Sequence, residues 1–245
     1  MNYKSSAELK GLAREQLKGK YGVPIGAIVI TMLLSITLSL LSTFFYKTES
    51  VSAITIYYLI SFIISLLSAV LSIGLIKFFT NFCRNQKYQI SNIFWGFMNH
   101  PDKVIISTIL LTLIMIVFLL PGILLFVLYV MMQEVMLFVI ALLVTIVGVV
   151  FMMIISLAYS QVYYIIADET CESAIEALKL SRKMMKGNKG RLFYLQISFI
   201  GWYLLSILSC FIALLWIEPY VICTTTYFYL DLKGEFRETV IDAYV

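Results

Sequence analysis

The sequence predicts an all-α membrane protein in which six transmembrane helices form three hairpins, each preceded by a cytoplasmic amphipathic interfacial helix. Three observations point there. Hydrophobic residues make up 61% of the chain and charged residues 13%, whereas soluble domains carry about a quarter charged residues. Charge-free runs long enough to cross a bilayer alternate with short basic segments. Finally, the basic stretch SAIEALKLSRKMMKGNKG from Ser173 to Gly190 has a near-copy at the N-terminus: at one constant offset Ser5, Glu8, Leu12, Arg14, Lys18, Gly19 and Gly22 match Ser173, Glu176, Leu180, Arg182, Lys186, Gly187 and Gly190.

In order along the chain, residues Ser5 to Lys20 form the first basic helix. Ser5 and Glu8 make an S-x-x-E capping box, and Leu9, Leu12, Ala13 and Leu17 recur at helical spacing with Lys10, Arg14 and Lys18 opposite. Such a helix either lies among lipid headgroups or caps the bundle as a solvated helix. Val23 to Phe45 is the first span, and a turn carrying Lys47 and Glu49 leads to the second, Ile54 to Ile76. Ser61, Ser65, Ser68 and Ser72 form a small-residue stripe on that span, which favours close helix packing over a polar pathway.

Lys77 to Lys103 is a polar connection containing a short amphipathic pattern of Ile90, Ile93, Phe94, Phe97 and Met98 opened by Ser91. Position and periodicity alone make it the middle copy of the module. Val104 to Ala167 carries a single charge, Glu134, and divides into spans three and four at Gln133 and Glu134. Pro121 and Gly122 should kink span three. The tyrosines Tyr159, Tyr163 and Tyr164 read as an interfacial belt. After Gly190, Leu192 to Leu232 is again long enough for a hairpin, with its turn near Cys210 to Ala213 and Glu218 a turn or so inside the outer interface. The chain is therefore one polytopic membrane domain over 1–245, with pseudo-repeats at about 5–80, 88–167 and 173–232 and a short tail at 233–245.

Alternating sides from the N-terminus puts every Lys and Arg of the eighteen except Lys47 on one side. The positive-inside rule makes that side the cytoplasm, with both termini inside. The polar N-terminal segment, the length of the first apolar run and the lack of a small-x-small site argue against a cleaved signal peptide. Cys83, Cys171, Cys210 and Cys223 lack CxxC spacing, and no disulfide or cysteine metal site is expected. The net charge of +4 lies beside the spans rather than on a folded basic face, so the partner expected is anionic lipid headgroups at the inner leaflet and not nucleic acid.

Catalytic patterns are missing. The only histidine, His100, has no HExxH context, and no GxSxG elbow, P-loop, GxGxxG element or intramembrane aspartate pair occurs. No enzyme activity, metal or cofactor is expected. The candidate intramembrane polar site is Glu218 with Tyr220 and Gln161, since a carboxylate within a span is costly and faces a cavity or partner. The alternative places the hairpin turn at Glu218 and Pro219, with the carboxylate in outer water starting the last helix. Arg14, Lys18, Arg182, Lys186 and Lys189 are candidate lipid-phosphate contacts, or serve only to fix orientation.

At SRKMMKGNKGRLFYLQISFIGWYLL and LWIEPYVICTTTYFYL the chain resembles the uncharacterised bacterial membrane proteins catalogued as domain of unknown function 975, common in Gram-positive bacteria. Ser181, Arg182, Met185, Lys186, Gly187, Asn188, Phe199, Ile200, Gly201, Trp202, Trp216, Pro219, Tyr220, Phe228 and Tyr229 carry the resemblance, with Ala13-Arg14, Leu17-Lys18-Gly19 and Pro121-Gly122. The chain departs from the pattern at Cys210 to Ala213, where the family has a Gly-Ile-Gly-like turn, and in a longer run between Gly122 and Tyr159. The resemblance implies a six-helix fold in a bacterial cell membrane, and no established activity comes with it. The expected role is a non-enzymatic membrane protein that transports or otherwise handles a lipid or amphiphile; the alternative is an immunity or binding protein that sequesters a peptide or partner protein. Neighbouring genes discriminate the two, and oligomeric state is not legible.

Overall fold

A computed structural model describes residues 3–43 and 51–236, and every regular element in it is helical. The elements are α1 (Ser6–Leu17), α2 (Gly22–Thr43), α3 (Val51–Cys83), a 3-10 turn (Ile90–Phe94) running into α4 (Trp95–Met98), α5 (Pro101–Met132), α6 (Val135–Tyr159), α7 (Val162–Ala167), α8 (Ala174–Met184), α9 (Lys189–Ile197), α10 (Ile200–Leu208) and α11 (Leu214–Lys233). The turn at Lys47 and Glu49 and the tail beyond Phe236 lie outside the described residues.

Among the described residues five helical stretches are long and apolar enough to cross a membrane: Gly22–Leu40, Ser52–Cys83, Pro101–Met132, Val135–Ala167 and Lys189–Leu208. This is a multi-pass membrane protein. The sixth expected span is not among them, because Glu218, Asp231 and Lys233, with three threonines and three tyrosines, make α11 too polar; half of its length is also buried in protein. The fifth is interrupted: α9 and α10 are separate helices meeting at Ser198 and Phe199. The second span is longer than the apolar run ending at Ile76, since α3 continues through Lys77 to Cys83.

Local chemistry explains the ends. Ser5 and Glu8 form the capping box, with the Ser5 N–H donating to Glu8 Oε2 at 2.6 Å and the Glu8 N–H donating to Ser5 Oγ at 3.3 Å. Ser173 caps α8 in the same way through the Glu176 N–H. The segment expected to be the middle copy is only a 3-10 turn and one short helix. It lies close on α3, and a side chain at Gly74 would collide with the Ile93 carbonyl. On the serine stripe, Ser65 and Ser72 donate to backbone carbonyls of their own helix, which satisfies them without a pathway. Helix α5 runs unbroken through Pro121.

Helices α5 and α6 pair along their length. Gly148 allows this closeness, since a Cβ there would lie 2.5 Å from the Phe118 carbonyl oxygen. The core sits elsewhere, where the ends of α3, α7 and α11 meet: Phe78, Phe79, Phe82, Ile165, Ile166, Tyr227, Phe228 and Tyr229 are all buried there. Each fully buried phenylalanine contributes about 1.5–3 kcal/mol. Around this core α1 packs on α11, α8 on α7, and the 90–98 segment on α3.

Candidate functional site

Two polar assemblies stand out. The first, at the meeting point of α3, α7 and α11, is built from the residues that end each of these helices. Arg84, just past α3, donates to both oxygens of Asp168 at 2.6 and 2.7 Å and to Glu235. Asp168 also accepts from the Tyr229 hydroxyl at 2.9 Å and from Lys233 Nζ at 2.7 Å. Burial works to raise the Asp168 carboxyl, but the hydrogen bonds and charges of Arg84 and Lys233 outweigh it and hold it down at about 2. The pairing likewise raises Arg84 against its own burial. Beside them an open cavity of about 820 Å³ is lined by Lys77, Gln86 and Phe236 as well as the ionic residues. Every carboxylate here has a cation and every cation a carboxylate or carbonyl, including Lys77, which donates to the Ala167 carbonyl at 2.8 Å. The arrangement is a structural lock.

The second assembly is a cleft of about 180 Å³ between α1, α10 and α11, lined by Arg14, Tyr21, Trp202, Trp216, Ile217 and Tyr220. Its walls are aromatic: Tyr220 packs edge-to-face on Phe199 and Trp202. The Arg14 guanidinium sits 5.6 Å from the Tyr220 ring centroid and has no ion pair among the described residues. The Tyr220 hydroxyl is buried without a hydrogen-bond partner. One turn earlier on α1, Lys10 donates to the Ser198 carbonyl at 3.1 Å and lies 4.2 Å from the Phe199 ring. Burial and the neighbouring Arg14 lower the pKa of Lys10. The cleft thus offers a cation on an apolar, indole-lined floor, which suits an anionic group attached to a hydrophobic body.

Of the residues singled out in the sequence, Arg14 and Tyr220 come together here. Glu218 is on the same stretch of α11 but neighbours Tyr203 of α10 instead of lining the cleft. Gln161 is apart from both, at the α6–α7 junction, where its amide donates to Ser160 and its backbone N–H to Ser181. Lys18, Arg182 and Lys186 are exposed, and Lys189 edges a separate apolar hollow of about 220 Å³ against Met153, Ile154 and Leu157 of α6. The cations therefore do not converge on one phosphate site.

Sequence reading missed the ionic lock and a smaller pair, in which Arg191 binds Asp231 at 2.7 Å while the Lys4 N–H also reaches that carboxylate. A signal existed for the first: Arg84 and Asp168 are 84 residues apart, half the offset that relates the two basic helices, and Asp168 closes an apolar run.

The described residues include no group of three or more His, Cys, Asp or Glu side chains able to hold a metal. The four cysteines are free, with Cys83 and Cys223 in sulfur contact at 3.2 Å.

Fold and site together define an all-helical, multi-pass membrane protein with a cationic aromatic cleft at the root of its last helices. The family described as "Protein of unknown function (DUF975)" matches residues 1–235, and the chain belongs to it. No curated protein and no solved structure matches the chain.

Proposed function

We propose that this protein handles a lipid or other amphiphile with an anionic headgroup, without catalysing a reaction, and that the cleft of Arg14, Tyr21, Trp202, Trp216 and Tyr220 receives the headgroup. One observation carries the reading. Arg84 and Arg191 are both neutralised by carboxylates, whereas Arg14 has only the face of Tyr220 and stands at the mouth of an aromatic cleft. A phosphate is the natural complement of an unpaired guanidinium, and tryptophans belong at the depth where headgroups meet chains.

The orientation that fits this role puts the basic helices α1 and α8 in the cytoplasm, because all the cations of the described residues lie on the segments joined to that end. Both termini are then cytoplasmic, in a bacterial cell membrane. The three interfacial segments form a collar at the inner leaflet, one at the root of each hairpin. Support for the threefold reading is that each of them packs on a different one of the three central helices, α11, α3 and α7.

The test is lipid-selective quenching in nanodiscs. Brominated phosphatidylglycerol should quench the fluorescence of Trp202 and Trp216 several-fold more than brominated phosphatidylcholine, and Arg14→Gln should abolish the preference. Equal quenching by both lipids in the unsubstituted protein would remove the headgroup site.

A further inference from the structure

The third hairpin is shorter than the other two, and the cleft supplies a common level from which to measure it. Tyr21, immediately before α2, lines the same cleft as Tyr220, so Tyr220 stands at the height where α2 begins. From there α2 runs 22 residues, or about 33 Å at 1.5 Å per residue, enough to cross a hydrocarbon layer of roughly 30 Å. The chain between Tyr220 and the hairpin tip at Phe211 spans only about 14 Å, and any tilt reduces that depth. The preceding helix α9 adds nothing to it. Arg191 near its start binds Asp231 and the Lys4 carbonyl, and Lys10 holds the Ser198 carbonyl at its end, so α9 runs beside α1 below that level.

The tip itself is made for an apolar surrounding. No charged residue occurs between Leu204 and Leu215, and Leu208, Phe211 and Ile212 are 83%, 62% and 62% exposed. Although Cys210 and Phe211 adopt left-handed backbone, every N–H from Ser209 to Trp216 has an acceptor within the turn. The Ser206 and Ser209 hydroxyls also donate to carbonyls of the same hairpin. Hydrocarbon imposes that internal satisfaction, and water does not. The α5–α6 tip is built the opposite way. Gln133 and Glu134 are exposed there, and α6 starts without a side-chain cap, leaving its first N–H groups to water.

We propose that the third hairpin is re-entrant: it enters the bilayer from the α1 side, turns near the mid-plane at Cys210 and Phe211, and returns, with Leu208, Phe211 and Ile212 among lipid acyl chains. The partner of this exposed apolar surface is the chain ends of lipids, not a protein and not the far aqueous phase. The inference needs α2 to be a full span and does not depend on the headgroup reading. It moves Glu218 from the outer interface to the α1 side of the membrane.

Depth measurement by spin labelling tests it. A nitroxide on native Cys210, with Cys83, Cys171 and Cys223 replaced by alanine, is compared in liposomes with labels introduced by Val147→Cys and Glu134→Cys. Cys210 should collide several-fold more with oxygen than with a water-soluble nickel chelate, as Val147→Cys does, while Glu134→Cys shows the reverse. Nickel accessibility at Cys210 equal to that of Glu134→Cys overturns the proposal. Should the triple substitution not fold, the unsubstituted protein serves, since Cys210 is its one exposed cysteine. An impermeant maleimide should leave it unmodified in intact cells and inverted vesicles and modify it after detergent. Modification from outside intact cells overturns the re-entrant turn.

Discussion

The second and third hairpins end in the same device and begin in opposite ones. At the base, each closes on a carboxylate held by an arginine: Asp168 by Arg84 from just past α3, and Asp231 by Arg191 of α9. At the tip, one presents Gln133 and Glu134 and the other Cys210 and Phe211. Anchoring is thus common to the hairpins, while reach is individual to each. A tip that needs water advertises it with a charge and free N–H groups, and a tip that avoids water closes every donor on itself.

The base of the comparison is the place to break it hardest. Arg84→Ala leaves Asp168 buried with half its counter-charge and Glu235 with only Lys233 at 3.3 Å, and should cost about 3–5 kcal/mol in unfolding experiments in detergent micelles. Arg191→Ala, which leaves Asp231 the Lys4 N–H, should cost less, about 1.5–3 kcal/mol. Equal losses would mean that the two anchors are equivalent after all.

At the tips the contrast should invert. Ile212→Lys should lower membrane insertion by about 2.5–3.5 kcal/mol of apparent free energy, as for a lysine at mid-bilayer, and Glu134→Lys by next to nothing. Glycosylation-reporter insertion assays read both. A silent Ile212→Lys would put the third tip in water.

The smallest effect tests the Asp168 anchor by pH. Because the folded-state pKa of Asp168 is depressed to about 2 from the ordinary 3.8, its contribution of about 2 kcal/mol is complete above pH 4 and is lost as pH falls from about 4 to about 2. Asp168→Asn should flatten that portion of the stability profile. An unchanged acid limb would show that the carboxylate is not what the lock depends on.

What the sequence disclosed and withheld follows from the range of the forces involved. The caps of α1 and α8 were legible because Ser5 and Glu8, like Ser173 and Glu176, interact within one turn. The α5–α6 turn was legible because Glu134 is the only charge in its run. The re-entrant depth was not, since hydropathy reports composition and not height: Lys189–Leu208 passes as a span by length while α9 lies beside α1. Nor could spacing reveal that Glu218 would turn to Tyr203 while Tyr220 turned to Arg14, because that choice depends on how α10 and α1 flank α11. The Arg84 lock joins residues from three parts of the chain, and only the half-offset hinted at it.

The docking of α1 on α11 also sets the order of assembly. The Lys4 N–H meets Asp231 across 227 residues of chain, so α1 cannot find its seat until α11 has been made. Until then its apolar face, Leu9, Ala13 and Leu17, has no protein to cover it, and the membrane surface is the place where an amphipathic helix of this kind can wait. Docking therefore comes late for an early element: α1 leaves the lipid surface to close on α11, and truncation before α11 should trap the preceding elements with an unfinished base.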